Sequence, residues 1–350
     1  MKKMLAMLLA LVMILGLAAC ASTKPAADAT ATSEPSNTGD SASAETSAEA
    51  SDAAPAESGK TYTVGVCQLI QHEALDAATQ GFIDALKEEL GDAVTVDVQN
   101  ASGDSVNCGT IVNGFVSRGV DLIMANATPA LTAAVSATAD IPILGTSITA
   151  YGVALDIDDF SGTVGGNVSG TSDLADLQKQ AQMILDWFPE TKTVGLLFCS
   201  AEPNSRYQID EVRKALEAQG VTCEEFAFTD SNDVSSVTQK AADFSDVVYI
   251  PTDNTAASNT EAIANVLIPA GVPAICGEEG LCRGCGVATL SISYYDLGVT
   301  TGKMAAKILK GEANISEMPI EYTDATPKYN ASICDQLGIT PLDGYEAIEG

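Results

Sequence analysis

The stretch Thr63-Val64-Gly65-Val66-Cys67-Gln68-Leu69 is a short apolar run, the pattern of a strand buried on both faces. Behind it Leu75, Ala78, Phe82, Leu86 and Leu90 recur at helical spacing, and Gly91 supplies a stop. Strands are expected again at 94–98, 122–124 and 141–144, with helical stretches near 104–118 and 129–138, so the first half reads βαβαβαβ. The second half repeats it. Thr193-Val194-Gly195-Leu196 echoes Thr63-Val64-Gly65-Val66, and Asn232-Asp233-Val234-Ser235 echoes Gly103-Asp104-Ser105-Val106. Asp246-Val247-Val248 echoes Asp121-Leu122-Ile123, and Val272-Pro273-Ala274-Ile275 echoes Ile141-Pro142-Ile143-Leu144. Four echoes in one order define an internal repeat. The expected fold class is α/β: two Rossmann-like lobes with parallel sheets. Val287-Ala288-Thr289-Leu290 and a helix bearing Leu297, Met304 and Ile308 follow both repeats, so the lobes are expected to be joined by a multi-crossover hinge. The expected boundaries are 61–148 plus 279–315 for the N-terminal lobe and 149–278 plus 316–350 for the C-terminal lobe.

Open parallel sheets bind ligands beyond the carboxyl ends of their strands, and two such lobes in tandem imply a cleft between those ends. The loops that would line it carry Gln68 and His72, then Thr128, then Thr146 and Ser147 from the first lobe. From the second come Asn204 and Ser205, Asp253 and Asn254, and Glu278, with Tyr294 after the late strand. Pro129 at a helix start makes Thr128 the expected N-cap. Hydroxyls and helix-start N–H groups at Thr128, Thr146 and Ser147 suit a carboxylate without a basic side chain. Asp253 and the Glu278 region suit an ammonium. Together they point to a small zwitterion such as an amino acid, although each residue taken singly is also an ordinary helix cap. Arg206, the only basic residue beside these loops, either meets a carboxylate or lies on a solvated helix face.

The chain has 350 residues, 47 acidic against 17 basic, for a net charge of -30. Such a chain lacks the Lys/Arg footprint that neutralises phosphates, which excludes a nucleic-acid partner. Apolar residues make up 46%, enough for a real core. Met1-Lys2-Lys3, the apolar run 4–17 and Ala18-Ala19-Cys20 have the layout of a signal peptide over residues 1–20. Leu17-Ala18-Ala19-Cys20 resembles the bacterial lipobox, which implies lipidation of Cys20, with palmitate among its acyl chains, and anchorage at the outer face of the cytoplasmic membrane or in the periplasm. Residues 21–60 contain no Leu, Ile, Val, Phe, Tyr, Trp or Met and are expected to form a disordered acidic tether rich in Ser, Ala and Thr.

The cleft loops resemble a known family. Gln68-Leu69-Ile70-Gln71-His72-Glu73-Ala74-Leu75-Asp76, Ala127-Thr128-Pro129-Ala130, Glu202-Pro203-Asn204-Ser205, Pro251-Thr252-Asp253-Asn254-Thr255 and Tyr294-Tyr295-Asp296-Leu297-Gly298 are similar to motifs of the ABC-transporter substrate-binding proteins of the tryptophan/tyrosine-type uptake systems. The resemblance covers about 61–340. It implies a two-lobed type I periplasmic-binding-protein fold that closes on its ligand, an aromatic amino acid in known members, and delivers it to an ABC permease and its ATPase subunits. The chain departs from the pattern at Gln71-His72-Glu73, where the family usually reads Glu-His-Pro, and in the cysteine cluster Cys276, Cys282 and Cys285.

Other chemistries fit less well. The three clustered cysteines lack a fourth local ligand, and His72 is the only histidine, so no metal is expected. The glycine-rich 162–170 has no Gly-Lys-Ser/Thr ending and reads as a lobe-connecting turn. No Gly-x-Ser-x-Gly elbow is present, so no enzyme and no cofactor are expected. The reading is a monomeric, lipid-anchored capture protein; the alternative is a signalling receptor of the same fold for a sugar, purine or peptide-like metabolite.

Overall fold

Alternating apolar strands and amphipathic helices build two α/β layers in a computed structural model that describes residues 60–348. The expected signal peptide, Cys20 and all but the last residue of the tether lie outside the described residues. The first layer begins with β1 (Tyr62–Gln68), α1 (Glu73–Leu90), β2 (Val94–Asn100), α2 (Ser105–Arg118), β3 (Leu122–Asn126), α3 (Thr128–Ala137), β4 (Ile143–Ile148), α4 (Tyr151–Ala154) and β5 (Val168–Ser172). The second runs through α5 (Leu177–Trp187), β6 (Thr193–Cys199), α6 (Pro203–Glu217), β7 (Thr222–Phe228), α7 (Val234–Phe244), β8 (Val247–Ile250), α8 (Asn254–Ala257), α9 (Thr260–Ala270), β9 (Ala274–Cys276), α10 (Glu279–Cys285) and β10 (Ala288–Ser291). The chain then adds α11 (Tyr294–Lys310) and β11 (Glu321–Tyr322) to the first layer, and β12 (Thr326–Tyr329), α12 (Ala331–Leu337) and β13 (Glu346–Ala347) to the second.

The two sheets run β11-β5-β4-β3-β1-β2 and β13-β12-β10-β9-β8-β6-β7. Their five repeated strands have one order, shifted by five in number, and pair in parallel. The repeat extends to single hydrogen bonds. Asp121, just before β3, accepts from Thr63 N at 2.7 Å, and Asp246, just before β8, accepts from Thr193 N at 2.9 Å. Each carboxylate thus satisfies a backbone donor at the start of the neighbouring central strand. One pairing departs from the all-parallel expectation: β12 runs antiparallel to β10.

Lobe membership also corrects the expected boundaries. β5 lies in the first sheet, not in the second lobe as 149–278 implies, and residues 168–170 are strand rather than turn. Its sequence Val168-Ser169-Gly170-Thr171-Ser172 is fully buried without being apolar, because hydroxyls are satisfied within the lobe and Gly170 lies against the backbone of Gly145. α10 packs against α9 and β9 of the second lobe, not in the first lobe as 279–315 implied, while β11 belongs to the first sheet. The chain therefore crosses between lobes three times, at 173–176, 292–293 and 323–325.

The second crossing positions a site residue. α11 returns to pack along α1, and the two helices approach so closely that a Cβ on Gly298 would strike the Ala78 carbonyl and one on Gly81 the Tyr295 carbonyl. Ser293 caps α11 by accepting from Asp296 N at 3.2 Å, which places Tyr294 at the helix start, between the lobes.

Candidate functional site

The strand ends of both sheets face one another, and a narrow cavity of about 10 Å³ lies between them. The first lobe and its crossovers contribute His72, Leu75, Ser147, Thr149, Asp173 and Tyr294; the second contributes Asn204, Thr252, Asp253, Asn254, Ala257 and Glu278.

Four polar atoms in this lining are buried without a hydrogen-bond partner: His72 Nδ1, Ser147 Oγ, Asp173 Oδ1 and Asn204 Oδ1. Buried polar groups are nearly always satisfied, and these four lie around one cavity. Three of them are acceptors. Asn204 Nδ2 donates to Glu202 Oε2 and to Thr252 O, both at 3.2 Å, which leaves Oδ1 as the free end of the amide. Asn254 Nδ2 donates to Glu202 Oε2 at 2.6 Å, so its Oδ1 accepts from His72 Nε2 at 3.2 Å. His72 Nδ1 then carries a lone pair, and burial holds the ring below imidazole's ordinary pKa, in the neutral form. Ser147 sits at φ 55°, a conformation uncommon outside glycine and often found at ligand sites.

The carboxylates differ in how they are used. Asp173 accepts from the Tyr294 hydroxyl at 2.9 Å on Oδ2, while Oδ1 is unpartnered; burial pushes its pKa up to about 6. Asp253 is spent on the backbone, accepting from Ala256 N at 2.8 Å and Cys199 N at 2.6 Å. Burial, then the charge of Glu202, pushes it up to about 8. Glu278 caps α10 through Gly280 N at 2.6 Å and Leu281 N at 2.5 Å, and burial pushes it up to about 7. Asp253 and Glu278 face the cavity, but Asp173 is the carboxylate with an oxygen to spare.

Of the residues singled out in the sequence, His72, Ser147, Asn204, Asp253, Asn254, Glu278 and Tyr294 line this cavity; Gln68, Thr128, Thr146 and Ser205 do not. Gln68 Nε2 bonds to Ile70 O and Asp76, and its Oε1 accepts from Thr79, which shapes the loop carrying His72. Thr128 is the first residue of α3, after an N-cap at Ala127 with φ 87°, rather than the cap itself. The Thr146 hydroxyl joins those of Thr171 and Thr301, both at 3.2 Å, and ties β4 to β5 and α11. Ser205 is buried behind Asn204, 3.4 Å from its Nδ2. Arg206 pairs with Glu225 and Asp210 and covers the Phe198 ring, so it belongs to the outer face of its helix. Asp173 was missed because it follows a strand with no apolar run. Cys276, Cys282 and Cys285 are buried free thiols, and the described residues contain no cluster of ligands able to hold a metal ion.

The halves touch directly. Besides the His72–Asn254 bond, Glu73 of α1 pairs with Arg283 of α10 at 3.1 Å, and α4 packs against α6. Two lobes that meet over a shared polar cavity, with three crossovers at the hinge, define a two-lobed binding protein of the type I periplasmic class. The chain belongs to the ABC transporter substrate-binding protein family, whose model matches residues 63–344. It is similar to a tyrosine-binding protein of Clostridioides difficile strain R20291, 32% identical over 276 residues, which are 77% of this chain and 79% of that one. Among solved structures, an ABC domain from Streptococcus pneumoniae in complex with L-Trp is 32% identical, with 83% of this chain and 100% of that one covered and a TM-score of 0.78. A ligand-free, open substrate-binding protein with adhesive properties from Clostridium difficile, also 32% identical over 83% of this chain and 99% of its own, has a TM-score of 0.63. At equal identity and coverage of this chain, the overall backbone similarity is higher to the L-Trp complex than to the open form. Members of this family work outside the cytoplasm, and no helix among the described residues is long and apolar enough to cross a membrane.

Proposed function

We propose that this protein captures a free aromatic amino acid, L-tryptophan or L-tyrosine, between its lobes and delivers it to an ABC permease with its ATPase subunits. The observation that carries the reading is the set of four unpartnered atoms around the interlobe cavity. An ammonium has three N–H donors, and Asp173 Oδ1, Asn204 Oδ1 and His72 Nδ1 are three acceptors drawn from both lobes. The Ser147 hydroxyl then donates to the ligand carboxylate. Leu75, Ala257 and the Tyr294 ring supply the apolar wall. The relatives with tyrosine in their name or tryptophan in their site support the aromatic side chain.

Because the acceptors are split between lobes, the ligand satisfies all of them only when the lobes are closed. Its binding free energy is therefore larger for the closed form and shifts the population toward it, and the permease reads the closed form. In this reading the chain is a monomer held at the outer face of the membrane by a lipid, palmitate included, on Cys20 after removal of residues 1–19. It catalyses no reaction and takes no cofactor or metal.

Isothermal titration of ligand-stripped protein with each of the twenty amino acids tests the assignment. Tight binding of tryptophan or tyrosine is the expected result; no heat with either would overturn it.

A further inference from the structure

Glu73 and His72 are consecutive in sequence, and each makes a contact with the opposite lobe. The His72 contact belongs to the ligand cavity. The Glu73 contact lies outside it, beside a groove along the seam between the lobes that includes Gln71, His72, Ser258, Gly280 and Arg283. This groove shares His72, Ala257 and Glu278 with the cavity, so it adjoins the ligand chamber. The backbones come close here: a Cβ on Gly280 would stand 3.4 Å from Glu73 Cβ.

The charges across the seam are complementary. Within the second lobe, Arg283 Nη2 is 2.9 Å from Glu279 and Lys328 Nζ is 2.5 Å from the other oxygen of Glu279. Two cations share one carboxylate. Glu73, from the first lobe, brings a second carboxylate to Arg283 through its 3.1 Å contact. Glu278 is a neighbouring acid on the same side, so Arg283 also offsets a like-charge approach when α1 meets α10. The side chains of Glu73 and Arg283 are 52% and 35% exposed, so salt in solution reaches and screens them.

We propose that Glu73 and Arg283 form an interlobe clasp, made only when the lobes are closed, that slows release of the bound ligand and weakens with ionic strength. The clasp touches no ligand atom; it acts by favouring the closed arrangement over the open one. The proposal rests on the reading that the closed lobes hold an aromatic amino acid.

The test measures release of radiolabelled L-tryptophan and L-tyrosine from the full chain, in wild type, Glu73→Gln, Arg283→Gln and the double variant, at low salt and at about 0.5 M salt. At low salt each single variant is expected to release ligand about two- to fivefold faster than wild type, and the double variant no faster than the singles. At high salt wild type accelerates and all four converge. Thermal unfolding checks that the variants remain folded; using both sides of the pair keeps the test valid if one substitution disturbs its own helix. Equal release from all four at low salt overturns the clasp, and so does a difference that high salt leaves unchanged, which would mark packing rather than charge. Wild type that binds neither amino acid overturns the proposed function and the clasp together, an outcome distinct from wild type that binds and variants that do not differ.

Discussion

Asp173 is a buried carboxylate whose hydrogen bonds offset its burial only in part, and the sign of the consequence follows from that. Its folded pKa of about 6 lies above the roughly 3.9 of an unfolded aspartate. A raised pKa contributes stability that is complete below about pH 4 and is lost as pH rises through 6. Asp173→Asn should therefore stabilise the ligand-free protein by about 2–3 kcal/mol at pH 8 and leave it nearly unchanged at pH 4, measured by denaturant unfolding. The same substitution removes the proposed ammonium acceptor and should weaken amino-acid binding at least about thirtyfold. In wild type, binding should weaken as pH falls below about 6, by up to about tenfold per unit, because the ammonium needs the ionised carboxylate; titrations from pH 8 to 4.5 check this. A pH profile unchanged by Asp173→Asn would contradict the role. At this scale the sequence was half legible. The loops at strand ends located His72, Ser147, Asn204 and Asn254, since topology alone brings such loops together. Which carboxylate keeps a free oxygen depends on hydrogen bonds that spacing cannot reveal: Asp253 and Glu278 serve as caps, and Asp173 lies where no motif pointed.

The elements show why the repeat could be read and its limits could not. β1, β3, β4, β6 and β8 are apolar because they are buried on both faces, so periodicity exposes them. β5 is equally buried but made of Ser, Gly and Thr, and its partners are hydroxyls and carbonyls rather than apolar side chains. The lobe boundary moved for that reason. α11 is legible as a helix, and the expected 279–315 places it in the first lobe, where the glycine seam with α1 holds it. Gly298→Ala should force the two helices apart, since its Cβ would meet the backbone of Ala78, which cannot rotate away. The expected cost is about 3 kcal/mol of unfolding free energy. Because Tyr294 sits at the start of the same helix, the variant should also bind amino acid more weakly than its loss of stability at assay temperature explains. A Gly298→Ala protein with wild-type melting would show that the seam is looser than described.

At the scale of the whole molecule, two halves with one topology turn their strand ends inward and meet over a cavity neither half encloses alone. The repeat was visible in four short echoes, and from it the cleft; closure was not, because it is written in contacts between residues 182 positions apart, as in His72 and Asn254. A ligand bridging both lobes would favour this closed form. A crystal structure of the protein grown with L-tryptophan measures this most directly. The amine should lie within hydrogen-bonding distance of Asp173 Oδ1, with Asn204 of the opposite lobe also in contact and the carboxylate at Ser147. A ligand held by one lobe alone, or seated outside the interlobe cavity, would contradict the account.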